Sequence, residues 1–307
     1  MPELPEVEVV RRGIEDHVLG RTIAEVEVFE PRCVRRQAAG PTDFAAQVQG
    51  LRIGSVERRG KFMWLRAGRA DAGRQRVGRS TASADEGDAL LLGERAVVLH
   101  LGMSGQVLVD SGRTQPQRHT RVLLRFTRPT LTLRFDDQRM FGGLHTDELV
   151  RAADGRVVPA SVAHIAPDPF EPAFDATEVA ARIRRRQAPL KSLLLNQELI
   201  SGIGNIYADE ALWRARLHWR TPGAQVSARK VREVLGHARD VMAQALAQGG
   251  TSFDALYVNI NGQSGYFSRS LNAYGQDGRP CARCGSIIRR EPFANRSSYR
   301  CPRCQRG

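Results

Sequence analysis

The second residue of this chain is a proline, and a small residue there permits removal of the initiator Met1. Pro2 then carries a free secondary amine. An α-amino group has a pKa of about 7.7–8.0, so a sizeable fraction is unprotonated and nucleophilic at neutral pH. A lysine, at about 10.4, offers only about one part in a thousand. A helix starting just downstream puts its positive end near the amine and lowers the pKa further. Glu3 is adjacent and able to give or take a proton. The plainer reading is a proline-rich lead into a helix, and taken alone these residues favour it.

A second constellation is stronger by itself. Cys281-Ala-Arg-Cys284 and Cys301-Pro-Arg-Cys304 enclose sixteen residues, the spacing of a four-cysteine zinc site. Two disulfides or a redox pair are the competing reading. An odd total of five cysteines and no export-type leader argue against it and for a reducing cytosol. Cys33 is left over as an idle or buried thiol. Residues 279–307 hold eight arginines against one acid, Glu291. More than half of the chain's net charge of +13 therefore sits on the cysteine module. Such a surface suits a polyanion, because neutralised phosphates release counterions; a merely solvated basic face is the alternative.

The elements that must position these groups change character along the 307 residues. Val7, Val10, Ile14 and Val18 make a helical stripe closed by Gly20. Short β-type runs follow at Thr22–Phe29, Leu51–Val56, Lys61–Leu65, Ala96–Leu101, Gln106–Val109, Arg121–Thr127 and Leu131–Phe135. Many strands in close succession imply a sandwich or flattened barrel. Between two of them, Arg69–Ala89 has one large aliphatic, Val77, and reads as a surface insertion. Four prolines between Gly155 and Asp175 mark a connection. A helix is expected from the Ser227 cap through Leu246 to Gly249-Gly250. The expected division is 1–150 as a catalytic domain, 151–175 as a connection, 176–270 as a helical domain and 271–307 as a zinc finger. No window has the roughly 18 apolar residues that a membrane span needs.

Several motifs recur together and in order: Pro2-Glu3-Leu4-Pro5-Glu6-Val7-Glu8, Arg58-Arg59-Gly60-Lys61 and His100-Leu101-Gly102-Met103-Ser104-Gly105. Asp137-Gln138-Arg139-Met140-Phe141-Gly142, Gly202-Ile203-Gly204-Asn205-Ile206-Tyr207, Gly265-Tyr266-Phe267 and the four cysteines follow. With these motifs the chain resembles the formamidopyrimidine-DNA glycosylases, bacterial enzymes that excise 8-oxoguanine. The resemblance covers essentially the whole chain except the Arg69–Ala89 insertion.

That resemblance implies an α+β fold. An N-terminal β-sandwich with an N-terminal helix carries catalysis, and a helix–two-turn–helix domain and a zinc-finger β-hairpin complete the chain. It implies that Pro2 attacks the sugar C1′, that Glu3 assists ring opening, and that Lys61 donates a proton and contacts phosphate. Arg296 matches the arginine of the final elimination. Met103, Arg139 and Phe141 match residues that fill the void left by the extruded base. His119, Arg186 and Asn205 fall at phosphate-contact positions, and Asn261–Phe267 at a loop closing over the flipped base. One structural zinc, no organic cofactor, damaged double-stranded DNA as partner, no membrane and a monomeric cytoplasmic protein used at the nucleoid complete the expectation. An endonuclease VIII-type enzyme for oxidised pyrimidines is the close alternative, disfavoured by Leu4 where that branch has Gly. A non-catalytic zinc-finger DNA binder is the distant one, and has no need of Pro2, Glu3 and Lys61.

Overall fold

The structure is a computed structural model that describes residues 2–69, 94–127, 130–250, 260 and 270–306. The insertion beyond Arg69 and the Asn261–Phe267 segment lie outside the described residues. The chain divides into two compact units. One holds Pro2, residues 7–164 and Ile260; the other holds Glu3–Glu6 and the remaining described residues from Ile165 onward.

The first unit takes most of α1 (Leu4–Val18), then β1 (Ile23–Val28), α2 (Gly40–Val48), β2 (Leu51–Arg59) and β3 (Phe62–Arg69). β4 (Arg95–His100), β5 (Gly105–Ser111), β6 (Thr120–Phe126), β7 (Leu131–Asp137) and β8 (Gly143–Asp147) follow. They form two four-stranded antiparallel sheets, β1-β6-β7-β5 and β2-β3-β4-β8. Both sheets and the α1 stripe share one core. Val7, Val10, Ile14 and Val18 cluster there with Leu65, Val97 and Leu99 of one sheet and Val107, Val122 and Phe135 of the other. Each such buried side chain contributes about 1.5–3 kcal/mol relative to exposure. This is the expected sandwich.

On α1, Glu8 meets Arg11, Arg12 and Arg58, at 3.0 Å from Arg11 Nε, 2.8 Å from Arg12 Nε and 3.0 Å from Arg58 Nε. Burial alone would raise its pKa, but the three guanidiniums hold it down at about 2.

Two expectations need correction. Lys61 does not begin a strand. β2 runs on through Arg59, and Gly60-Lys61 is the two-residue loop between paired Arg59 and Phe62, with Gly60 at φ +56°. Arg58 Nη1 donates to the Gly60 carbonyl at 3.0 Å, which anchors that turn. The segment expected as a connection is also partly ordered in strands. β9 (Leu149–Arg151) pairs with β10 (Val157–Pro159), and the first unit continues to His164. Proline tolerates the strand edge, so composition concealed the hairpin.

The second unit is helical. α3 (Ala176–Arg184) is capped by Asp175, whose carboxylate accepts the Thr177 and Glu178 amides. α4 (Leu190–Leu194), α5 (Asn205–Ala215) and α6 (Ala228–Ala247) follow. Ser227 caps α6 by accepting the Lys230 N–H, and Gly249 and Gly250 leave it at positive φ. Val231, Val234, Leu235, Val241 and Met242 of α6 pack with Tyr207, Ala211 and Leu212 of α5. A hairpin, β11 (Arg289–Phe293) and β12 (Arg296–Arg300), closes the unit through a turn with Ala294 at φ +48°. Among the described residues no helix is long and apolar enough to cross a membrane.

Candidate active site and metal centre

Glu3 is 2% exposed, and its position is set by the turn before α5. Its Oε1 accepts the Ile206 N–H at 3.1 Å, one of the unpaired amides at the start of that helix. Its own N–H donates to Glu6 Oε2 at 2.9 Å, while Glu6 Oε1 accepts the Tyr207 hydroxyl at 3.0 Å. The glycines of the 202–207 motif make this fit possible. A Cβ on Gly204 would lie 2.1 Å from the Glu3 carboxyl carbon. One on Gly202, at φ +87°, would lie 2.4 Å from Leu4 Cδ1, and the Leu4 amide donates to the Gly202 carbonyl at 3.2 Å. A motif that in sequence suggests phosphate contact thus has a packing reason as well. Pro2 is buried, two residues ahead of α1.

The same unit gathers Asn205 and Arg296. Asn205 Nδ2 donates to the Ser297 carbonyl at 2.9 Å, next to Arg296 at the start of β12. Lys191, fully buried, donates to that carbonyl at 3.2 Å and meets Asp209 at 2.7 Å. Burial pushes Asp209 up to about 6, against the pull of Lys191, and lowers Lys191. Asp209 also accepts the Ser298 hydroxyl at 2.9 Å and the Tyr299 amide at 3.0 Å. Together these bonds tie β12 to α4 and α5. Burial beside Glu3 pushes Tyr274 up to about 12. Arg186 is exposed at the end of α3, and Arg296 is exposed on the hairpin.

In the first unit Lys61 sits at the β2–β3 turn beside His100. Phe62 and His100 are paired, with ring centroids 4.7 Å apart. Burial, reinforced by Arg36, Lys61 and Arg35, pushes His100 down to about 4. It is therefore neutral at pH 7, and its Nδ1 accepts the Gly102 N–H at 3.1 Å. Met103 lies in the turn that follows, and Arg139 and Phe141 in the turn after β7. Phe141 is 50% exposed, with the Arg139 guanidinium 5.2 Å from its ring centre. His119 is half-buried just before β6, and its carbonyl accepts the Asp137 amide at 3.0 Å.

The four cysteine sulfurs lie within 4.8 Å of one another. Zinc–sulfur bonds of about 2.3 Å imply sulfur–sulfur edges of about 3.8 Å, so these thiols fit one tetrahedral zinc. Trp213 Nε1 donates to Cys281 Sγ at 3.4 Å and the Cys304 amide to Cys301 Sγ at 3.4 Å, the donors a thiolate cluster needs. Cys33 is buried in the other unit, where burial and Asp137 push its thiol up to about 11.

Sequence reasoning gave no role to Glu6, Ser104, Asp137, Lys191 or Asp209. The first three do stand in the recurring motifs, and Glu6 adds a carboxylate three residues after Glu3 at a helix start.

Three family models match. They are the formamidopyrimidine-DNA glycosylase N-terminal domain over residues 1–144, its H2TH domain over 165–255, and a zinc finger found in FPG and IleRS over 278–307. A formamidopyrimidine-DNA glycosylase of Thermobifida fusca is 52% identical, covering 99% of this chain and 97% of that protein. One of a Nocardioides species is 54% identical, covering 99% and 94%. A solved complex of a Lactococcus lactis FPG mutant with Fapy-dG-containing DNA aligns over the whole of both chains, at TM-score 0.80 and 26% identity.

Proposed function

The chain belongs to the formamidopyrimidine-DNA glycosylase family, and from that premise we propose that it removes oxidised purines from duplex DNA and then cuts the strand. The observation that supports this best is the buried Glu3, fixed at the start of α5 immediately after Pro2. The Pro2 nitrogen attacks C1′, the bond to the damaged base breaks, and the base leaves with a proton. Glu3 protonates the sugar ring oxygen as the ring opens, leaving an iminium on Pro2. Loss of the C2′ proton expels the 3′ phosphate, and a second elimination expels the 5′ phosphate. The product is a one-nucleotide gap.

Lys61, at the hairpin tip beside His100, serves as proton donor and phosphate contact. Arg296 serves the last elimination. His119, Arg186 and Asn205 hold the backbone, while Met103, Arg139 and Phe141 fill the void behind the extruded nucleotide. In this reading the first unit, which runs to His164, catalyses, the helical residues from Ile165 grip the duplex, and 271–307 form the zinc-stabilised hairpin that holds Arg296. The zinc is structural. The enzyme acts as a monomer in the cytoplasm, on the nucleoid.

Substrate choice tests the branch of the family. In single-turnover assays 8-oxoguanine opposite cytosine should leave about tenfold faster than thymine glycol, a discrimination of the size one pocket contact supplies. The reverse order would transfer the chain to the oxidised-pyrimidine branch.

The insertion tests the assignment of the site. The β3–β4 pairing sets Ala67 opposite Arg95, so the strands that flank the insertion are already paired. Deleting residues 70–88 should leave excision within about twofold, because shortening a loop between paired strands costs little. A loss of more than tenfold at low salt would place a functional group in it.

A further inference from the structure

Met103 and Phe141 are thirty-eight positions apart in sequence, yet one buried carboxylate organises the turns that carry them. Asp137, the last residue of β7, is 0% exposed. Its Oδ2 accepts the Gly142 N–H at 2.7 Å and its Oδ1 accepts the Arg139 N–H at 3.2 Å. The carboxylate thus spans the turn on both sides of Met140 and Phe141. Within that turn Met140 sits at φ +56°, a left-handed conformation that an ordinary side chain adopts only when its surroundings enforce it.

Ser104 joins the other turn to the same carboxylate. Its hydroxyl donates to Asp137 Oδ1 at 2.5 Å and accepts the Arg139 N–H at 3.1 Å. Ser104 is 2% exposed, so water does not compete for these bonds. The turns also touch through backbone. Gly102, at φ +59°, lies against the Phe141–Gly142 peptide, where a Cβ would come within 2.4 Å of Phe141 C and Gly142 N. On the opposite side the exposed Arg35 donates to the Phe141 carbonyl at 3.1 Å and the Gly142 carbonyl at 3.0 Å. The Phe141–Gly142 peptide is therefore held from both sides, while the Phe141 ring stays half exposed.

A fixed backbone under an exposed aromatic ring is the arrangement a wedge requires. Ordering a loose loop at the moment of insertion consumes part of the energy that contact with the base stack returns. A loop already in shape avoids that loss. We propose that Asp137 and Ser104 are positioning residues that join the Met103 turn and the Arg139–Phe141 turn into a single rigid insert, so that extrusion of an intact base depends on their bridge more than the later chemistry does. The proposal rests on the void-filling role given above to Met103 and Phe141.

The test uses the full-length zinc-loaded enzyme in single turnover on two duplexes, one with 8-oxoguanine opposite cytosine and one with a pre-formed abasic site. Ser104→Ala should slow excision about tenfold, as loss of one charge-assisted bond allows. It should slow strand cleavage at the abasic site by less than about twofold, because the base is already gone. Phe141→Ala should show the same selectivity more strongly, and adding Ser104→Ala to it should cost excision little more. Arg35→Ala, an exposed change, repeats the test from the other side of the peptide should Ser104→Ala fold poorly. A bridge that merely stabilises the fold predicts equal fractional losses on both duplexes, and that result overturns the proposal. Additive losses in the double variant overturn the coupling while leaving the wedge intact. Unselective loss in Phe141→Ala itself removes the void-filling reading and the proposal with it.

Discussion

Enzyme that retains Met1 should yield almost no borohydride-stable complex with 8-oxoguanine duplex, whereas enzyme beginning at Pro2 should be trapped efficiently. The difference follows from one nitrogen. With Met1 in place the Pro2 nitrogen belongs to an amide, whose lone pair is delocalised into the carbonyl and is not nucleophilic. With Met1 removed it is a secondary amine that titrates near pH 8 or below, since α1 begins at Leu4 and presents its positive end nearby. Attack on C1′ by a secondary amine gives an iminium, and borohydride reduces an iminium to a permanent amine. Trapping by the Met1-bearing form should fall about a hundredfold or more, as expected when a covalent catalyst is lost. Pro2→Gly keeps an α-amine and should trap weakly rather than not at all. Trapping should rise with pH across the titration of the amine. Undiminished trapping with Met1 present would move the nucleophile elsewhere, and Lys61 would be the first place to look.

Much of this molecule is legible in its sequence, for reasons that separate local signals from distant ones. The α1 stripe, the Ser227 cap and the Gly249-Gly250 stop of α6 are local, because periodicity and capping act within a few residues. The four cysteines announce themselves by spacing alone. α2 and β8 went unread because each is short, and α2 carries only Phe44 and Val48 as buried residues. The hairpin β9–β10 was concealed because its strands have three residues each and Pro159 ends the second. The order β1-β6-β7-β5 could not be read from the runs, since β1 pairs with a strand nearly a hundred residues later. The site divides in the same way. Pro2, Glu3, Lys61 and the cysteines belong to motifs that can be named. Asp137 and Ser104 stand in such motifs too, but their role rests on a hydrogen bond across thirty-three residues, and that of Lys191 and Asp209 on a buried pair that composition cannot foretell. The glycines at 202 and 204 are visible in sequence, but the side chains that require them, Leu4 and Glu3, are two hundred residues away.

Cys301→Ser should lose zinc and DNA binding together, while Cys33→Ser keeps both. The module around the cysteines has a small apolar core. Trp213, Ala273, Ile288, Cys281 and Cys301 are its buried members, and two of the five are metal ligands. Apolar burial of that size does not offset the chain entropy of ordering about thirty residues. Zinc binding supplies what is missing, at about 10–16 kcal/mol for a structural site near pH 7. Replacing one thiolate with a hydroxyl removes a ligand and leaves Trp213 Nε1 and the surrounding amides facing a broken cluster. The hairpin β11–β12 then loses one of its anchors and keeps the bonds that Asp209, Lys191 and Asn205 make to residues 297–299. Arg289, Arg290 and Arg296 are exposed on that hairpin, so its disorder should scatter the charge proposed to meet the phosphates. Losing two or three phosphate contacts should weaken duplex binding by about tenfold to a hundredfold at moderate salt and flatten its salt dependence. The core of α5 and α6 is separate from the cysteines, so the circular-dichroism signal of the helices should largely persist. Metal analysis and a salt titration of binding decide the matter. A metal-free Cys301→Ser protein that still binds damaged duplex as tightly as the parent would show that the hairpin is held in place without the metal.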